Sequence, residues 1–127
     1  MGVRVRLRLK TLKKSIETSA LVNSGFETTK PEIIVPLGLA ENLELVLSAE
    51  FSSYSVAGGG RVLAIRVKTP VKVKLILEDR EVKEVDAVAS VLPGENEVII
   101  SDKLAHDLGI VILDPFKGIW CLRDEVG

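Results

Sequence analysis

The chain has 127 residues, 46% hydrophobic and 28% charged, with a net charge of −1. That length fits one domain, and the composition supports a packed core rather than a disordered segment. A charge so close to neutral argues against bulk nucleic-acid binding, and no apolar run approaches the roughly 20 residues of a membrane-spanning helix.

Only five residues are aromatic, so the core must rest on Val, Leu, Ile and Ala. Their β-branched supply, used in short alternating runs, favours sheet over helix. The single cysteine, Cys121, excludes an internal disulfide framework and a cysteine-rich metal site. The start, Met1-Gly2-Val3-Arg4-Val5-Arg6, lacks the apolar core of a signal peptide. The expectation is a soluble, cytoplasmic protein. No Gln and one Met, with many charges of both signs, fit a thermophile's avoidance of labile side chains.

Taken in order, Val3 to Leu9 alternates strictly, with Val3, Val5, Leu7 and Leu9 on one face and Arg4, Arg6 and Arg8 on the other. This predicts a half-buried antiparallel strand. A polar stretch, Lys13 to Thr18, precedes a short apolar strand, Ser19 to Val22, which runs into Asn23-Ser24-Gly25-Phe26-Glu27-Thr28. By spacing alone this is a turn. Ile33 to Val35 reads as a buried strand, and Pro36 opens a short helix, Leu37 to Leu43.

Leu45 to Phe51 and Arg61 to Val67 look like paired strands. Between them, Ser52 to Gly60 includes Tyr54 and three consecutive glycines, Gly58, Gly59 and Gly60, which predict a mobile hairpin tip. Val71 to Leu77 and Val82 to Leu92 are further strands, separated by the charged turn Glu78 to Glu81. Val98 to Ile100 is buried. Ser101 or Asp102 caps a short helix, Lys103 to Leu108, which Gly109 stops. Ile110 to Leu113 and Ile119 to Leu122 close the chain. Eight or nine short strands with two brief helices make an all-β barrel or sandwich pattern, kept as one domain over 1–127.

The charge is uneven. Residues 1–30 carry seven Lys/Arg against two Asp/Glu, and residues 81–127 carry four against ten. The two ends should attract each other, within one chain or between two. No aromatic residues interleave with the basic run, so neither nucleic acid nor a membrane is the expected partner.

The order of these pieces resembles the retropepsin-like aspartic protease family. The resemblance rests on Ala20-Leu21-Val22-Asn23-Ser24-Gly25, on Val98-Ile99-Ile100-Ser101-Asp102 with the helix ending Asp107-Leu108-Gly109-Ile110, and on the glycine-tipped hairpin between them. It covers residues 19–122. It implies a closed acid-protease-like barrel with one or two short helices and a homodimer sharing one site under two flaps. A peptide or small-molecule ligand would lie in that cleft, with no metal and no cofactor. The family carries Asp-Thr/Ser-Gly where this chain has Asn23-Ser24-Gly25. Ser101 and Asp102 stand where it often has Gly and Arg.

Asn23 is the decisive departure, because aspartic proteolysis needs two carboxyls sharing a proton and an amide cannot accept the proton of water. The resemblance leaves Ser24 to brace the loop, Gly25 to allow close backbone approach, and Glu27, Tyr54, Gly58, Gly59 and Gly60 to contact ligand. Three readings stay open: a non-hydrolytic relative, an aspartic endopeptidase with an inactivating Asp to Asn change, and a structural or oligomerisation domain. His106 has no spaced partner for metal binding, Cys121 reads as a buried inert thiol, and Trp120 as a core or interface anchor.

Overall fold

The computed structural model describes residues 2–23, 25–55 and 60–126. Ser24, Gly58 and Gly59 therefore lie outside the described residues. In chain order the elements are β1 (Val3–Lys10), β2 (Ser15–Val22), β3 (Glu32–Val35), α1 (Leu37–Asn42), β4 (Leu47–Ser55) and β5 (Arg61–Val67). There follow β6 (Val71–Leu75), β7 (Val85–Val91), β8 (Val98–Ile100), α2 (Asp102–Asp107), β9 (Ile110–Asp114) and β10 (Ile119–Leu122). A single 3-10 turn, Arg123–Glu125, ends the described chain. None of these helices is long and apolar enough to cross a membrane.

Six strands close into a barrel. β1 pairs antiparallel with β2 along its whole length and with β6 on its other side. β2 runs parallel to β8, β8 antiparallel to β3, β3 parallel to β7, and β7 antiparallel to β6. The circuit leaves no free edge among the six, which removes the edge-pairing hazard of an open sheet. The expectation of a closed barrel with short helices holds.

The inner face is aliphatic. Val3, Val5, Leu7 and Leu9 are buried, while Arg4, Arg6 and Lys10 are exposed, so β1 alternates as its sequence does. Val71, Val73 and Leu75 face them from β6, and Ala87, Ala89 and Val91 from β7. The small Ala87 and Ala89 of β7 share this core with the bulkier Leu7, Leu9, Ile33 and Ile100. α1 adds Ala40 and the adjoining Leu43 to the core, and α2 adds Leu104 and Ala105.

Several element boundaries differ from the sequence reading. β2 begins at Ser15, not Ser19, because β1 pairs with it as far as Lys10 opposite Ser15. Tertiary pairing there outweighs the poor strand preference of a polar stretch. β4 continues through Ser52 to Ser55, a loop by residue type, since Ser53 and Tyr54 pair with Leu63 and Val62 of β5. β7 starts at Val85 because Val82 to Glu84 pair with nothing, and β6 stops at Leu75.

The β4–β5 hairpin hangs on the barrel through β5, with Ile65 opposite Val91 and Arg66 opposite Ser90 of β7. β4 is thus the open edge of this sheet, and its register breaks between Leu47 and Phe51. β9 and β10 form a separate two-stranded sheet. Leu113, Phe116, Ile119 and Val126, on and just after this hairpin, are exposed. The basic start and acidic end do meet within the chain. Arg4 holds Glu97 by two hydrogen bonds of 2.8 and 2.9 Å, and Lys10 lies 3.7 Å from Glu84.

Gly109 follows α2 at φ 82°, and its N–H donates to the His106 carbonyl at 3.0 Å. A Cβ there would meet nothing closer than 3.9 Å, so backbone strain alone opposes a side chain. Gly109→Ala should therefore cost about 1–2 kcal/mol, read as a lower urea midpoint with an unchanged slope.

Candidate functional site

The barrel positions one loop with unusual care. β2 ends at Val22, and the Asn23 N–H still donates to the Ile100 carbonyl at 3.3 Å, carrying the β2–β8 pairing one step past the strand. The chain then turns on the asparagine itself. Asn23 Oδ1 accepts the Gly25 N–H at 2.9 Å, and the Asn23 carbonyl accepts the Phe26 N–H at 3.0 Å. A side-chain carbonyl that mimics the backbone in this way makes a compact Asx turn. A Cβ on Gly25 would lie 3.3 Å from Asn23 Oδ1, tighter than ordinary packing. Glycine suits that position through close approach.

These bonds also orient the amide. The Gly25 N–H requires an acceptor, so the oxygen of Asn23 faces the turn and the NH2 group is left over. Asn23 is exposed, and its NH2 has no partner among the described residues. The group available to a ligand is a hydrogen-bond donor.

The second half of the loop is tied to the start of α2. The Asp102 N–H donates to the Phe26 carbonyl at 3.0 Å, and Asp102 Oδ1 accepts the Thr28 N–H at 3.0 Å. Ser101, completely buried, is the N-cap. Its hydroxyl accepts the Leu104 N–H at 3.2 Å and also the Glu32 N–H at 3.1 Å, while its own N–H donates to the Glu32 carbonyl at 3.0 Å. One serine therefore caps a helix and fastens β3.

The hairpin base closes over the loop from the other side. The rings of Phe26 and Tyr54 meet edge to face, with centroids 5.0 Å apart at 85°. The Tyr54 hydroxyl donates to Glu32 Oε1 at 2.8 Å and lies 3.3 Å from Ser90 Oγ. Burial pushes the Tyr54 phenol above its usual 10.0. A phenol whose folded value is raised adds stability that is intact below its unfolded value and is lost as pH rises through the folded one. The unfolding free energy of the unchanged chain should therefore fall above about pH 10. The Tyr54→Phe variant should lose about 1 kcal/mol at neutral pH and lack that part of the alkaline decline. Paired urea titrations at pH 7 and above pH 10 measure both.

Of the expected site residues, the fold brings Asn23, Gly25 and Tyr54 into one assembly, with Phe26 as the link between loop and hairpin. Glu27 is exposed on the loop, and Gly60 is exposed where the chain enters β5. Sequence reasoning missed Glu32 and Ser90, the partners of Tyr54, and missed that Asp102 reaches back to Thr28. His106 is exposed, with Nδ1 3.2 Å from the Arg123 guanidinium. Cys121 is half-buried, and Trp120 packs against the core. Among the described residues no three His, Cys, Asp or Glu side chains group to hold a metal ion.

No protein-family model matches the chain, and none of the curated proteins matches it significantly.

Proposed function

We propose that this chain is a retropepsin-like barrel that binds an extended peptide in a cleft between two copies and does not cut it. The orientation of Asn23 carries the reading. At the end of a barrel strand, where that family has its catalytic carboxylate, this chain offers an amide whose oxygen is held by Gly25 and whose NH2 remains free to donate. A donor there suits a peptide carbonyl; it cannot deprotonate water. The hairpin anchored by Tyr54 supports the reading as a cover for such a cleft. The exposed Leu113, Phe116, Ile119 and Val126 support a second copy as partner, since exposed apolar patches commonly mark interaction sites.

The same loop would suit an aspartic endopeptidase carrying an Asp to Asn change, and the test separates the two. Labelled, unfolded casein is incubated with the unchanged chain and with Asn23→Asp from pH 3 to 7. Binding is read by fluorescence anisotropy, cleavage by gel, and oligomeric state by sedimentation. The expected result is a dimer that binds without cleavage, and a variant that cleaves under acid conditions. Cleavage by the unchanged chain overturns the proposal, as does a monomer that binds no peptide.

A further inference from the structure

A groove of ≈ 770 Å³ runs between the segment 29–32, the start of β4 and the end of β5. Its charged lining is three cations, Lys30, Arg66 and Lys68, against two carboxylates, Glu32 and Glu50. The cations are poorly matched inside the chain. Arg66 lies 3.9 Å from Glu32 Oε1, and that oxygen already accepts the Tyr54 hydroxyl at 2.8 Å. The Arg66 side chain is only 29% exposed, yet it donates no hydrogen bond among the described residues. A guanidinium has five N–H donors, and leaving them without protein partners in a partly buried place is costly unless something else accepts them. Lys30 and Lys68 have no carboxylate within 4.0 Å among the described residues.

The spacing of the cations points to a ligand shape. Arg66 and Lys68 are two residues apart and both line the groove; the Lys68 N–H still bonds the Val46 carbonyl at 2.9 Å, so the β4–β5 pairing reaches Lys68, where the chain bends away from the strand. Side chains at i and i+2 of an extended chain project to one side, roughly 6.6–6.8 Å apart. A second extended chain repeats at the same interval, so carboxylates on alternate residues would meet Arg66 and Lys68 together. Lys30 supplies positive charge from the opposite wall. Phe51 and Val88 give apolar surface for methylene stems, which favours glutamate over aspartate.

We propose that this groove binds an extended acidic peptide of the Glu-x-Glu type, with one carboxylate on Arg66 and the next on Lys68. The site goes beyond the Asn23 reading, because it lies within one chain and needs neither a second copy nor any chemistry at Asn23. It would bias which peptides the chain accepts.

The test uses the full chain and fluorescein-labelled eight-residue peptides carrying Glu-x-Glu, Glu-x-x-Glu, Gln-x-Gln or Lys-x-Lys. Glu-x-Glu should bind at least about tenfold more tightly than the others at low salt, with the gap narrowing at about 0.5 M NaCl. Lys30→Glu and Lys68→Glu change exposed residues outside the core and should each weaken Glu-x-Glu binding at least tenfold. Arg66→Gln should do the same, with circular dichroism confirming the fold. Equal affinity for Glu-x-Glu and Gln-x-Gln overturns this site while leaving a neutral-peptide cleft at Asn23 untouched. Indifference to Lys30→Glu and Lys68→Glu overturns it too. Equal binding of both glutamate spacings, displaced by millimolar phosphate, would make the groove a general anion site and also overturn the proposal.

Discussion

Ser101→Ala should lower the unfolding free energy by about 2–4 kcal/mol, the largest stability loss expected from any single hydroxyl among the described residues. The size follows from what the oxygen does. It accepts two backbone N–H groups, Leu104 in the first turn of α2 and Glu32 at the start of β3, and Ser101 has no exposure to water. Losing an N-cap costs about 0.5–2 kcal/mol. Leaving a buried N–H without an acceptor adds about 1–3 kcal/mol, because water cannot replace the lost oxygen. Asp102→Ala makes the useful contrast. It removes the acceptor for Thr28 N–H, but Asp102 is exposed and solvent can step in, so about 1 kcal/mol is expected. Urea titrations of the two variants, with hydrogen exchange at residues 26–32, distinguish the outcomes. Ser101→Ala should raise exchange at Glu32, and a loss no larger than that of Asp102→Ala would show that the two N–H groups find other acceptors.

The same two bonds show what a serine does at position 101 that a glycine could not. A glycine at position 101 would permit the turn but could supply no oxygen. Here the serine joins the β8–α2 junction to β3, and Asp102 joins it to the Asn23 loop. Both residues are readable in the sequence as helix caps. Their second roles are not, because the partners lie 69 and 74 positions away. The same limit governs the hairpin, where Tyr54 finds Glu32 and Ser90 across 22 and 36 residues.

What was legible is what is local. The alternation in β1, the asparagine turn after β2 and the glycine after α2 each have a cause within a few residues. Barrel closure does not, because it depends on the parallel pairings β2–β8 and β3–β7, and parallel partners are not joined by tight turns. Composition misled where it dominated the reading. Ser52 to Ser55 resemble a loop by residue type, yet Ser52 is buried and Tyr54, within β4, is tied to Glu32 by its hydroxyl. The polar start of β2, Ser15 to Thr18, hides its strand in the same way. Strand preference depends on the neighbouring strand as much as on the residue, and β1 supplies that neighbour.

On the proposed function, Asn23→Asp should create an acid protease, a gain of about 10²–10⁴-fold in peptide cleavage over the unchanged chain. In the proposed two-fold dimer the two loops would bring both positions 23 to one site. Two carboxyls so placed cannot both ionise freely, so one holds its proton above the usual range while the other ionises first. The Gly25 N–H that now bonds Asn23 Oδ1 would favour the ionised partner, since donation to a carboxylate stabilises its charge. Activity should therefore be bell-shaped in pH, lost when both groups are protonated and lost again when both are charged. The raised value has a second consequence with a definite sign. Its contribution to dimer stability is intact at low pH and is lost as pH rises through the folded value, because the two charges then repel. The variant dimer should dissociate more readily at pH 7 than at pH 4, a dependence that the amide of the unchanged chain cannot produce. Sedimentation at the two pH values reads this independently of any substrate. A variant that stays folded and dimeric, yet shows neither cleavage from pH 3 to 7 nor that dissociation, would mean that the two loops do not face each other. The barrel would then stand without the shared site proposed for it.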